Sequence, residues 1–163
     1  MRSIHRLSWA KAAPLCATNF TGALATLTAV LPDMVAHGKG HLVGVSSVAA
    51  FGPTPNGTVY RATKAGLTAF LDNIRLELVG TGVTATAVHP GFVLTPMADN
   101  FSIRPPGALS PERAADVIVK SLARAPATID FPLPVVAMLK LMDALPRAVS
   151  GAMLRRTRFG ELE

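Results

Sequence analysis

Two short runs do most to limit what this chain can fold into: HLVGVSS at 41–47 and VTATAVHPG at 83–91. Both are uncharged, apolar or β-branched, and each is stopped by polar or Pro-Gly residues, which reads as a strand buried on both faces. A doubly covered strand needs helices above and below it, and the flanking segments supply the pattern. Residues 14–37 read as a long helix, with Pro14 in the first turn and Gly38 and Gly40 closing it. Residues 58–80 read as a second, with a small-residue face at Ala62, Ala65, Gly66 and Ala69 and a stop at Gly80 and Gly82.

The intervening AAFGPTPNGT (49–58) holds two Pro and two Gly and is expected to be loop. After a further Pro- and Gly-rich loop at 92–110, Ser110, Pro111 and Glu112 give the cap, first-turn proline and first-turn acid of a helix. ATIDFP (127–132) predicts a last short strand, followed by one or two apolar helices. Helix alternating with strand predicts an α/β fold, a parallel sheet covered on both faces, in which ligands gather at the carboxyl ends of the strands. Ser47 and the Pro90-Gly91 turn both occupy such ends.

At 163 residues the chain is expected to be a single domain. Charged residues are 16% and mean hydropathy is +0.39, more apolar than a lone small domain leaves in water, so part of the surface is expected to meet a partner. The single cysteine, Cys16, cannot form an internal disulfide and fits a reducing compartment, so a cytoplasmic location is expected. Net charge is +6, with Lys and Arg scattered except near the end, where Arg147, Arg155, Arg156 and Arg158 collect. Those arginines suggest at most a weak membrane-surface contact, and a C-terminal lid packed on the domain is the preferred reading of 131–158. No nucleic-acid motif accompanies them. The first seventeen residues have a basic start, but Lys11 interrupts the apolar run and argues against a signal peptide. The uncharged stretch from Ala12 to Pro32 is long enough to span a bilayer, yet its Ala, Thr, Asn19 and Gly22 favour a buried helix.

Chemistry is concentrated between residues 47 and 64. Tyr60, the only tyrosine, and Lys64 are four apart on a helix and so share one face. An ammonium within about 4 Å favours a phenolate by up to roughly 4 kcal/mol at an effective dielectric near 20. A phenol so tuned can give a proton to a carbonyl oxygen or take one from an alcohol, and Ser47 can hydrogen-bond that oxygen. Asn19, in the middle of an apolar helix, is disfavoured there and must find partners. His89, before a proline at a strand end, reads as structural.

Taken with their order and spacing, TNFTGALATLTAVLPDM (18–34), GHLVGVSSVAAFGPTPNGTVYRATKAGLTAFLDNIRLEL (40–78) and GVTATAVHPGFVLTPM (82–97) resemble the later two-thirds of the short-chain dehydrogenase/reductase family. The resemblance implies part of a Rossmann-type doubly wound parallel sheet and an oxidoreductase acting on a secondary alcohol or ketone with NAD or NADP. It implies Tyr60 as acid/base, Lys64 as the group that tunes it and binds the nicotinamide ribose, Ser47 as the substrate-orienting hydroxyl, and Asn19 as holder of a proton-relaying water. Pro90, Gly91, Val93 and Thr95 would lie against the nicotinamide, and Ser46 would be a strand residue. No metal is expected. The helices at 14–37 and 58–80 resemble those through which members pair, so a homo-oligomer is expected. The family's Gly-rich pyrophosphate turn has no counterpart in this sequence. The expectation is therefore an N-terminally truncated domain whose strand at 41–47 is an unpaired edge, and the alternative reading is a module that pairs without catalysing.

Overall fold

The computed structural model describes residues 7–53, 57–95 and 107–156. A continuous 28-residue helix opens it, as α1 (Trp9–Cys16), one π-helical segment (Ala17–Gly22) and α2 (Ala23–Ala36). It starts five residues before the predicted boundary, because Ser8 is extended and Pro14 sits inside the helix. Pro14 gives up only a bond to an exposed first-turn carbonyl, a small loss where water can substitute.

Strand β1 (Gly40–Val45) follows, then a 3₁₀ turn (Val48–Ala50) within the predicted loop, α3 (Thr58–Glu77), β2 (Val83–Pro90), α4 (Pro111–Leu122), β3 (Thr128–Phe131), α5 (Leu133–Ala144) and α6 (Arg147–Arg156). The sheet is parallel in the order β1-β2-β3, in register from Gly40 beside Val83 to Val45 beside Val88. Ser46 extends the ladder, its N–H donating to Val88 O at 2.8 Å.

The strands are covered on both faces, as their uncharged sequences require. On one face Leu42, Val83, Ala85 and Ala87 pack against Leu67, Leu71 and Leu78 from α3 and its end, with Phe20, Leu24, Leu27 and Leu31 of the first helix beside them. On the other, Val88, Ile129 and Phe131 meet Ala114, Ile118 and Leu122 of α4. Thr63, Leu67 and Leu71, spaced by four, form the buried stripe of α3. Gly44 is required by this packing, since a Cβ there would run into Leu71 Cδ1. Gly82, at φ +78°, must let the Gly38 carbonyl approach, which ends α3 three residues earlier than predicted and turns the chain into β2.

The first helix corrects one expectation. It is not buried: no residue of α2 is fully covered, and only the stripe holding Phe20, Ala23, Leu24, Leu27, Leu31 and Met34 packs on the core. The lack of charge therefore reflects one face on β1 and α3 and a second apolar face in the open. By length and composition this helix could cross a membrane. β1 is an edge among the described residues, as expected, with Val45 52% exposed. α4 begins as predicted, Ser110 Oγ accepting from Arg113 N–H at 3.3 Å. The predicted basic tail lies largely outside the described residues: Arg158, and the side chains of Arg147, Arg155 and Arg156.

Candidate active site

The carboxyl end of β1 meets the first turns of α3, where Lys64 Nζ reaches Val45 O. Ser47 stands two residues beyond β1, extended and buried, its Oγ accepting from Ala49 N–H at 3.2 Å. That bond fixes the side chain at the start of the 3₁₀ turn, which packs against α3. Tyr60 and Lys64 share a face of α3, with Lys64 Nζ 5.8 Å from the centre of the Tyr60 ring. The ammonium donates to Val45 O at 2.8 Å, the last carbonyl of the β1 edge. Burial pushes the Lys64 ammonium down from its usual value, because desolvation disfavours the charged form. A lysine held in this way presents its charge at a strand end and remains able to exchange one acceptor for another.

Asn19 lies in the π-helical segment, where the widened turn moves its side chain toward α3. Its Nδ2 donates to Thr63 Oγ1 at 3.4 Å, and Thr63 Oγ1 donates in turn to Tyr60 O at 2.8 Å. Asn19 thus meets the turn that carries Tyr60 and Lys64, and with Val43, Val45 and Lys64 it lines an open groove of about 300 Å³ along the β1 edge. The partner that a mid-helix amide demands is Thr63, a residue the sequence gave no reason to single out.

Pro90 ends β2, and Gly91 N–H donates to Phe131 O at 2.7 Å, which bends the chain away from the sheet. Val93 forms a bridge to Leu109 and its side chain joins the α4-side core, while Thr95 N–H donates to Val93 O at 2.9 Å. These four residues therefore line one continuous turn beyond β2, separate from the Asn19 groove. Most of the loop between 92 and 110 lies outside the described residues.

Two features escaped the sequence reading. Ser46, taken for a strand residue, is buried and donates to Lys64 O at 2.9 Å while contacting Thr68 Oγ1 at 2.8 Å. It ties the β1 end to the middle of the Tyr60–Lys64 helix. The available signal was the adjacent Ser46-Ser47 pair: in an extended chain only one of two neighbours can face a site at the strand end, so the other needs partners inside. The second feature is α5, which lies over the turn after β1. Lys140 Nζ reaches Asp130 at 2.9 Å, Arg61 reaches Asp143 at 3.3 Å, and the Leu139 backbone abuts Gly52.

One helical face carries a phenol and an ammonium, the ammonium at the end of β1 beside an open groove. No Gly-rich cradle for a pyrophosphate occurs in the sequence.

Comparison with known proteins agrees with this architecture. An uncharacterised oxidoreductase of Myxococcus xanthus is 37% identical over 153 residues, covering 94% of this chain and 60% of that protein. The closed form of serine dehydrogenase complexed with NADP+ superposes with a TM-score of 0.70 at 29% identity, over 82% of this chain and 60% of the other. A short chain dehydrogenase from Burkholderia cenocepacia J2315 in complex with NADP shares the fold, with a TM-score of 0.75 at 22% identity over 88% of this chain and 59% of the other. The chain thus spans between about 44% and 60% of the length of the curated relatives it matches. The short chain dehydrogenase family pattern matches residues 1–105, and with the parallel sheet in the order β1-β2-β3 this chain belongs to the short-chain dehydrogenase family.

Proposed function

We propose that this chain carries the proton-transfer and nicotinamide-facing residues of an oxidoreductase that interconverts a secondary alcohol and a ketone with NAD or NADP. The observation that carries the reading is Lys64, its ammonium on the last β1 carbonyl and beside the Tyr60 ring. Nicotinamide, when bound, supplies or accepts the hydride. Tyr60 Oη holds the proton that passes to or from the substrate oxygen, Ser47 Oγ orients that oxygen, and Lys64 places its charge beside the Tyr60 ring. Lys64 and Tyr60 would hold the ribose, with Pro90, Gly91, Val93 and Thr95 against the nicotinamide. Asn19, already reaching the Tyr60–Lys64 turn, would hold the relaying water. The free Cys16 thiol is in keeping with a cytoplasmic location, and pairing through the first helix and α3 would make the protein a homo-oligomer.

The test is a fluorescence titration of the purified full chain with NADH and NADPH, followed by assays on ketones of graded size. Saturable binding with turnover is the expected result, and Tyr60→Phe should lower kcat by at least about a hundredfold, the lower range of general acid–base contributions. Turnover retained in Tyr60→Phe refutes the assignment of the proton to that phenol.

The β1 edge favours a second reading, a module that pairs without catalysing. Its groove and the exposed Val45 offer an open strand to another chain. Self-association with no dinucleotide binding by either cofactor selects this reading over the first.

A further inference from the structure

His89 is fully buried, and it stands in the middle of a chain of hydrogen bonds from the surface of α5 to the catalytic turn of α3. Lys140 Nζ lies 2.9 Å from Asp130 Oδ2, and Asp130 Oδ1 lies 2.8 Å from His89 Nδ1. His89 Nε2 lies 3.1 Å from Thr68 Oγ1, which is 2.8 Å from Ser46 Oγ, which donates to Lys64 O at 2.9 Å.

The hydrogens in this chain can be counted. A carbonyl oxygen only accepts, so the Ser46 hydroxyl hydrogen goes to Lys64 O. Ser46 can then only accept from Thr68, which uses the one hydroxyl hydrogen Thr68 has. The Thr68–His89 link must therefore be supplied by His89 Nε2–H. On the other side, an ionised carboxylate only accepts, so the Asp130 link must be supplied by Nδ1–H. Asp130 is ionised here: burial pushes its carboxyl up, but hydrogen bonds from His89 and Lys140, reinforced by their charges, hold it below its usual value. A singly protonated ring leaves one of these links without a hydrogen. The groups of charge facing the ring from the packed elements are Asp130 of β3 and, through it, Lys140 of α5. Phe51 completes the surroundings, its ring centre 4.5 Å from that of His89 and 4.4 Å from Lys140 Nζ, whose charge lies over the ring.

We propose that His89 is a positioning residue that carries hydrogens on both ring nitrogens, and that the doubly protonated ring completes a rigid link from α5 to the turn bearing Tyr60 and Lys64. The consequence for Tyr60 and Lys64 matters to catalysis only if the oxidoreductase reading holds, whereas the hydrogen count does not depend on it. The link fixes the carbonyl of Lys64 against the end of β1, and through it the distance between the Ser47 strand end and the helix that faces it.

The test is nitrogen-resolved NMR of the isotope-labelled full chain at pH 7, with no cofactor needed. The expected spectrum has both His89 ring nitrogens in the N–H range. One nitrogen in the unprotonated range overturns the count. Ser46→Ala, which does not touch the ring, frees the Thr68 hydrogen for Nε2 and is expected to release the Nε2 hydrogen; a ring still protonated on both nitrogens in that variant overturns the chain as its cause. Asp130→Asn, which keeps the side-chain volume, is expected to leave a single ring hydrogen and to shift the ring signals of Tyr60, whose assignment is unambiguous because it is the only tyrosine. Tyr60 signals unchanged in Asp130→Asn overturn the positioning role, whatever the enzyme assays give.

Discussion

Individual residues here are constrained by what stands on their far side. Gly44 lies in β1 because Leu71, fully buried on α3, occupies the space where a Cβ would be. Gly44→Ala should cost about 1–3 kcal/mol as overpacking, read as a lowered urea midpoint with unchanged slope. Leu71→Ala, the complementary change, should cost about 2–5 kcal/mol by the same measurement. Asp130 gives a pH-dependent case. Its carboxyl is held below its usual value in the folded chain, so the stability it contributes is present above the unfolded value, near 3.9 for an aspartate, and is lost as pH falls through the lower folded value. Melting temperature followed from pH 7 to pH 3 should therefore fall less steeply at the acid end in Asp130→Asn than in the parent. Equal acid slopes would mean that the carboxylate's bonds to His89 and Lys140 add nothing to folding. Tyr60 and Lys64 were legible as a pair because a four-residue spacing on a helix puts both on one face, whereas Ser47, across a loop from them, was singled out by its strand end and the family resemblance. Ser46, Thr63 and Asp130 were not legible: each acquires its role from a partner 18 to 44 residues away, Lys64, Asn19 and His89.

At the scale of elements, the uncharged runs at 41–47 and 83–91 were sufficient for β1 and β2, since a strand with no polar face can only be covered twice. The first helix was harder. Its absence of charge admits burial, a bilayer or a partner equally, and only the placement of Phe20, Leu24 and Leu27 on β1 and α3 shows that half of it is spoken for. The π-helical segment was invisible to pattern, because one widened turn barely alters the spacing of apolar residues. It exists where Asn19 and Phe20 both turn to α3: Asn19 bonds Thr63, and Phe20 fills the gap that Gly66 leaves, where a Cβ would come within 2.9 Å of the ring. Asn19→Leu removes the amide without removing volume. It is expected to change unfolding stability by about 1 kcal/mol or less, since the lost bond is a long, neutral one to the Thr63 hydroxyl, while reducing turnover more than dinucleotide affinity. A parallel loss of both would place Asn19 in binding instead of proton transfer.

For the molecule as a whole, the governing fact is a parallel sheet with helices on both faces in which β1 is an edge among the described residues. An edge strand with an exposed apolar residue is a template for a further strand, and β1 itself carries no Asp, Glu, Lys or Arg. Val45 sits at the end of this edge, half exposed beside the groove, and its carbonyl is the one Lys64 holds. The same open edge thus adjoins the ammonium of the proposed site, so whatever pairs there also closes the groove over Asn19 and Lys64. Val45→Lys puts a charge on the edge and keeps the backbone carbonyl that Lys64 uses. In sedimentation velocity across a tenfold concentration range, the parent is expected to shift toward larger species and Val45→Lys to remain at one size. If both associate alike, the contact lies elsewhere, on the open face of the first helix, and exposed Val30 and Val35 there become the positions to charge next.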